Sequence, residues 1–286
     1  MIKKKINTKQ VGELFGVDDS TVRRWAISGK IKCTTTAGGH RNFSYKNIID
    51  FSKSQKINFK PLLDFDINDK SNIVNSLLHS MLHLKISPIE NLLIKLYLNS
   101  VHLSVIMDDY VESSLIVLQD KLDNNDISVA EEHISRKILS KALNNFRDYI
   151  APGSPRNDKK ILCLNLENDI PDLPIDMIQI LLESINYAVH NCGSNTSVRD
   201  IRNLLSAKMY NAIFIYLCDR QCCTSTTKTN IVKTNNDLKL ISDLSLKNNI
   251  KLFLGGPSFK NIDDEILKNF TLFSKYADVL SLSKNI

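Results

Sequence analysis

The sequence predicts a multidomain protein of mixed α and α/β class. A small winged helix-turn-helix is followed by a four-helix bundle and then by a Rossmann-like (flavodoxin-type) parallel-sheet domain. Three observations predict this. Residues 6–45, INTKQVGELFGVDDSTVRRWAISGKIKCTTTAGGHRNFSY, set two short amphipathic helices ahead of a Gly-Gly hairpin. Residues 71–150 place apolar side chains at helical spacing. Beyond Pro155, short apolar runs alternate with amphipathic helices, the pattern of a parallel sheet covered on both faces.

In the first segment, Thr8 is the expected N-cap of a helix that buries Val11, Leu14 and Phe15. Gly16 and Val17 make the turn, and Asp18 or Asp19 caps a second helix running through Ser28. Val22 and Trp25, three apart, point inward, which leaves Ser20, Thr21, Arg23 and Arg24 on or near the outer face. Gly29 ends that helix. Ile31 opens a hairpin flanked by Lys30 and Lys32, with Gly38 and Gly39 expected at positive φ in its tip. His40 and Arg41 follow the tip, where a basic wing can reach a phosphate backbone while the second helix lies in the major groove.

Charge supports a polyanion partner for this segment alone. Residues 1–60 hold 13 Lys+Arg against 4 Asp+Glu, a net of +9, and the remainder carries 24 against 27, a net of −3. Lys3, Lys4 and Lys5 extend the basic footprint as an arm or as an ordinary solvated terminus. No apolar run approaches the roughly 20 residues of a membrane span, and the N-terminus lacks the apolar core of a signal peptide. Six cysteines then read as reduced thiols in a cytoplasmic protein.

With 286 residues the chain has room for two or three domains. The expected boundaries are 1–53 for the helix-turn-helix, 54–70 for a polar linker, 71–150 for the bundle and 156–286 for the α/β domain. Four apolar stripes define the bundle: Ile73, Leu77, Leu78, Met81 and Leu82; Leu92, Leu93, Leu96 and Tyr97; Val101, Val105, Ile106, Tyr110 and Val117; Val129, His133, Ile134, Ile138 and Leu139. The run from Ala151 to Pro155 breaks the chain. Strands are expected at 161–166, 187–190, 212–217, 251–254 and 278–282, with helices at 175–184, 198–207, 237–247 and 262–270. Ligands of such sheets sit at the carboxyl ends of the strands.

The run VDDSTVRRWAISGKI followed by TTAGGHRNF resembles the MerR superfamily, most closely its excisionase and BldC-like branch. Asn42 stands where many relatives carry a second Arg after GGHR. The order of all three segments resembles the CarH/LitR group of cobalamin-dependent regulators, over essentially the whole chain. NNDISVAEEHISRKI carries a Glu132-His133 pair that matches the Glu-His motif facing the upper side of cobalamin in that group. VHNCGSNTSVRDI resembles the second strand and its loop, and LFLGGPSF resembles the strand end whose glycines, here Gly255 and Gly256, admit the nucleotide tail. YADVLSLS resembles the final strand.

The departures fall at the metal. The resemblance places Asp169, Pro171 and Pro174 at the Glu, His and Gly positions of the cobalt-binding loop. Proline has no side-chain donor, so any cobalamin would be held without a protein imidazole. Leu122 stands where the group packs a Trp on the corrin, losing aromatic stacking. Other candidates for metal or redox chemistry are weaker. Cys218, Cys222 and Cys223 cluster in LCDRQCC, yet two adjacent cysteines suit no common zinc spacing. His79 and His83 are four apart without a carboxylate pattern, His102 stands alone on the bundle, and His190 at a strand end reads as structural. No metal site is therefore expected.

These readings imply a DNA-binding transcription regulator and no enzyme. Its contacts to duplex promoter or operator DNA would come from Ser20, Thr21, Arg23, Arg24, Lys30, Lys32, His40 and Arg41. A cobalamin-domain-like sensor or oligomerisation module would follow, with Leu122, Glu132, His133, Gly255 and Gly256 as its ligand-facing residues. One such module buries little DNA surface, so a homo-oligomer is expected. Two alternatives stay open: a ligand-free regulator, antirepressor or co-regulator, that binds another protein, and a corrinoid-dependent methyl-transfer protein.

Overall fold

The computed structural model describes residues 6–57, 69–150, 158–167, 173–207, 210–218 and 231–286. The Lys3–Lys5 arm, most of the expected linker, the break after Ile150, Asp169, Pro171, Cys222 and Cys223 lie outside them. The chain divides into two compact units, Met1–Asp126 with Lys137–Ala151, and Ile127–Arg136 with Pro152–Ile286. The N-terminal basic segment and most of the bundle thus share one unit, and the start of the last bundle helix belongs to the other.

The first unit opens with β1 (Ile6–Asn7), α1 (Thr8–Phe15) and α2 (Asp19–Ile27). Asn7, not Thr8, caps α1. Its side chain accepts from the Gln10 amide at 2.9 Å, and the Gln10 side chain accepts from the Asn7 amide at 3.1 Å. This reciprocal box satisfies two amides, and a cap at Thr8 would put Val11, which has no side-chain acceptor, at the third helical position. Asp18 is the N-cap of α2 but makes no side-chain capping bond. The hairpin strands β2 (Thr34–Thr35) and β3 (Arg41–Phe43) complete an antiparallel sheet of order β1-β3-β2. Only Gly39 of the tip has positive φ, at 78°. A further helix, α3 (Tyr45–Gln55), closes this core with Ile48 and Phe51. Trp25 is half-buried between Phe15 at 5.7 Å and Phe51 at 4.7 Å.

The helices of the bundle are α4 (Lys70–Leu82), α5 (Ile86–Leu98), a third composed of α6 (Leu103–Val105), a π-helical stretch (Ile106–Glu112) and α7 (Ser113–Asp123), and α8 (Val129–Ile150). The π turn inserts a residue and resets the buried face to Ile106, Met107, Tyr110, Val111, Ser114, Leu115 and Leu118. Val105, expected inside, is exposed. The fourth expected stripe is also corrected. Leu139, Ala142, Leu143, Phe146 and Ile150 fix which face of α8 is buried. Extended toward the N-terminus at 3.6 residues per turn, that face arrives at Ser135 and Glu132. Val129, His133 and Ile134 are consequently exposed, Ile134 by 47%.

The second unit is a parallel sheet of order β5-β4-β6-β7-β8, formed by β4 (Lys160–Leu164), β5 (Ala188–Asn191), β6 (Ala212–Tyr216), β7 (Lys251–Gly255) and β8 (Thr271–Phe273). The joining helices are α9 (Leu173–Ser184), α10 (Val198–Ala207), α11 (Ile231–Lys247), α12 (Asp264–Leu267) and α13 (Tyr276–Leu282). Leu162, Leu164, Ile213, Ile215, Leu252 and Leu254 face Ile201 of α10 with Leu238 and Ile241 of α11. Alternation turns Cys163, Phe214 and Phe253 to the opposite side, where α9 packs on β4 and β5 and α13 packs on β8.

Two expectations near the C-terminus are corrected. Residues 278–282 lie in α13, and the last strand is β8, seven residues earlier in the chain than expected. The Asp278 carboxylate accepts from the Ser274 and Lys275 amides, each at 3.0 Å, and so starts a helix where YADVLSLS suggested a strand. The helix expected over 262–270 shrinks to the single turn of α12. No helix among the described residues is long and apolar enough to cross a membrane.

Candidate functional site

The residues expected to meet DNA lie on α2 and the hairpin. Ser20, Arg23, Arg24, Lys30, Lys32 and His40 are exposed, and Thr21 and Arg41 are half-buried. Local bonds order them. The Arg23 guanidinium meets Asp19 at 2.7 Å one turn back, and Arg24 donates to the Thr21 hydroxyl at 2.9 Å. At the tip, the Thr36 amide donates to the His40 carbonyl at 2.9 Å, and the His40 amide returns to the Thr36 hydroxyl at 3.2 Å. The Asn47 side chain donates to the Lys32 carbonyl at 3.0 Å, tying the base of the hairpin to α3. The result is two basic elements carried on one aromatic core.

The residues expected to face a ligand are divided between the units. Leu122, half-buried near the end of α7, belongs to the first; Glu132, His133, Gly255 and Gly256 belong to the second. Glu132 is fully buried and pairs with Arg136 one turn along α8. His133 reaches only to 3.8 Å of that carboxylate, and its side chain is 57% exposed. The carboxylate is thus held by an arginine that the sequence reading did not single out, although the Glu-x-x-x-Arg spacing was its signal.

Asp176 and the other histidine candidates sit in local structural contacts. Asn191, at the end of β5, donates to Asp176 at 3.1 Å and to Gln179 at 2.9 Å, fastening α9 to the sheet. His190 shares a 2.8 Å bond with the Tyr210 hydroxyl. His79 and His83 stack at 3.9 Å, with His83 Nδ1 2.8 Å from the His79 carbonyl, and His102 caps α6. Cys163 and Cys192 are joined by a backbone bond across β4 and β5, but their side chains lie on opposite faces of the sheet. Burial pushes the Cys163 thiol well above its ordinary range. Cys218 is buried, and its carbonyl accepts from the Ser258 hydroxyl at 2.9 Å. Among the described residues no group of three or more His, Cys, Asp or Glu could hold a metal ion.

This arrangement is similar in fold to a solved corrinoid protein. The structure of the monomethylamine corrinoid protein of Methanosarcina barkeri superposes with a TM-score of 0.56 at 11% identity, covering 75% of this chain and 98% of that one. Weaker likenesses are the methanol:cobalamin methyltransferase complex of the same organism (TM-score 0.36, 13% identity, 75% and 79% coverage) and a cobalamin-binding protein of Desulfitobacterium hafniense (0.37, 13%, 74% and 97%). No protein-family model matches the sequence, and no curated protein sequence does. The likeness establishes the helical region followed by a five-stranded parallel sheet.

The residues described here do not fit a corrin. Glu132 is engaged by Arg136, and His133 is turned largely to solvent. The space against Gly255 is filled by the ring of Phe273. Pro171, outside the described residues, stands at the expected lower-ligand position, and a proline side chain has no donor atom.

Proposed function

We propose that the chain is a DNA-binding transcription regulator of the MerR type whose α/β unit works without cobalt. In this reading α1 and α2 form the helix-turn-helix and β2-β3 the wing. Arg24, Lys30, Lys32, His40 and Arg41 contact phosphates, while Ser20, Thr21 and Arg23 approach base edges in the major groove. The observation that carries it is the ordered, exposed Arg23 and Arg24 on α2, set in a segment that holds the whole positive balance of the chain. A module this small makes few contacts, so stable occupancy calls for several protomers on one operator. The α/β unit supplies either that self-association or a surface for another regulator.

A second reading is a regulator that binds only protein, favoured by the filled glycine cradle of the α/β unit. Methyl transfer through a corrinoid is disfavoured by the same filling and by Pro171. Selection from a pool of random duplexes by the full-length chain separates the readings. A DNA-binding regulator enriches a recurring motif. A purely protein-binding regulator enriches none, and retention is then no better than for a neutral control protein.

A further inference from the structure

The glycine pair closing β7 is accounted for by the protein's own side chains. Gly255 pairs with Phe273 across β7 and β8. A Cβ on Gly255 would sit 2.2 Å from Phe273 Cε2, 2.3 Å from Cζ and 2.5 Å from Cδ2. Gly256, at φ 96°, would bring a Cβ within 2.2 Å of the Leu217 carbonyl oxygen. The loop that follows is pinned to the segment just after β6 by Ser258, which is fully buried and donates through its hydroxyl to the Cys218 carbonyl.

Phe273 itself has little room to move. It is 3% exposed, and its ring lies 5.9 Å from Phe214, which stacks on Phe253 at 4.3 Å and 8°. Three rings therefore cover one face of β6, β7 and β8. Close packing of this kind leaves no void for a second flat group.

We propose that Phe273 is an internal plug: it occupies the place against Gly255 that a flat heteroaromatic group of a ligand would need, and the α/β unit binds no corrinoid through a nucleotide tail. A side chain at 255 is excluded because the Phe273 ring lies on that position. This inference stands apart from the DNA-binding reading, and its test involves no DNA.

Two arms, both on the full-length chain, decide it. In the first, wild type and Phe273→Ala are titrated with hydroxocobalamin by absorbance and with benzimidazole by thermal unfolding. Wild type should leave the corrin spectrum unchanged and show no benzimidazole-dependent rise in its midpoint. Folded Phe273→Ala should show a saturable rise, because removing the ring opens a dry cavity of aromatic size. The second arm needs no ligand and serves if Phe273→Ala fails to fold. Gly255→Ala is measured alone and with Phe273→Val, which lacks all three clashing ring atoms. The glycine substitution should lower the unfolding midpoint sharply in wild type and much less beside Val. Saturable cobalamin binding by wild type, no benzimidazole response from folded Phe273→Ala, or an equal Gly255→Ala loss in both backgrounds overturns the proposal.

Discussion

Tyr45, at the start of α3, meets Tyr149, in the last turn of α8, edge to face at 5.9 Å and 74°. Burial raises both phenol pKa values, and each has a charged or phenolic neighbour that adds to the rise: Tyr149 for Tyr45, then Glu90 and Asp148 for Tyr149. A second link runs beside it, since Tyr97 of α5 is raised by burial and then by Asp50 of α3. Within the first unit, α3 is thus packed on the bundle, and α2 is packed on α3 through Trp25 and Phe51. The basic face is positioned by aromatic contacts and not by the chain connection alone.

Trp25 is the only tryptophan, so its fluorescence reports the N-terminal core while far-ultraviolet circular dichroism reports the helices. In wild type the two unfolding curves should coincide. Tyr149→Ala should separate them, with Trp25 released at lower denaturant. Coincident curves in both proteins would show that this contact does not join the two parts.

The same tyrosines predict an alkaline limit. A phenol whose folded pKa is raised contributes stability that is full below the unfolded value, about 10, and is lost as pH rises through the folded value. Stability should therefore decline above pH 10, and Tyr149→Phe should move that decline upward by removing one buried ionisation. A denaturation series from pH 8 to 11.5 measures it; an unshifted decline counts against a buried phenol at 149.

Glu132 and Arg136 form a pair in which the carboxylate is fully buried. Arg136→Met should cost about 3–5 kcal/mol, because it removes the guanidinium paired with a buried carboxylate. Combining it with Glu132→Leu should recover most of that loss. Urea unfolding of the three variants checks the pattern, and a mild effect of Arg136→Met alone would contradict it.

Thiol chemistry follows from burial. Iodoacetamide at pH 8 should label Cys33 and Cys192, both half-buried, well before Cys163, whose raised pKa keeps it a neutral thiol there. Peptide mass spectrometry resolves the sites. Equal labelling rates at Cys163 and Cys33 would contradict its enclosure.

Much of the fold was legible because period decides it. The helical region and the strand-helix alternation after Lys159 follow from apolar spacing in local sequence, and α10 begins and ends where the pattern places it. The failures have separate physical causes. The π turn shifts a helical face without changing composition, and Val105, just before it, falls outside the face set by Leu103, Ile106 and Met107. The start of α8 carries Val129 and Ile134 on a face that the heavier C-terminal half turns to solvent. β8 is only three residues, too short for a period, and α13 is decided by one capping carboxylate, Asp278. At the candidate sites, the exposure of Arg23, Arg24, Lys30, Lys32 and His40 was legible from charge and turn chemistry. The Phe273 plug was not, because it is a contact between neighbouring strands 18 positions apart in sequence.

The measurement that tests the central claim most directly is the salt dependence of duplex DNA binding by Arg24→Ala and Arg41→Ala beside wild type. Fluorescence anisotropy across a potassium chloride series gives the slope of log K against log salt. Each variant, folded by circular dichroism, should bind more weakly and lose about one unit of slope, as removal of one phosphate contact requires. Unchanged affinity and slope in both would contradict the assignment of α2 and the hairpin as a DNA-binding surface.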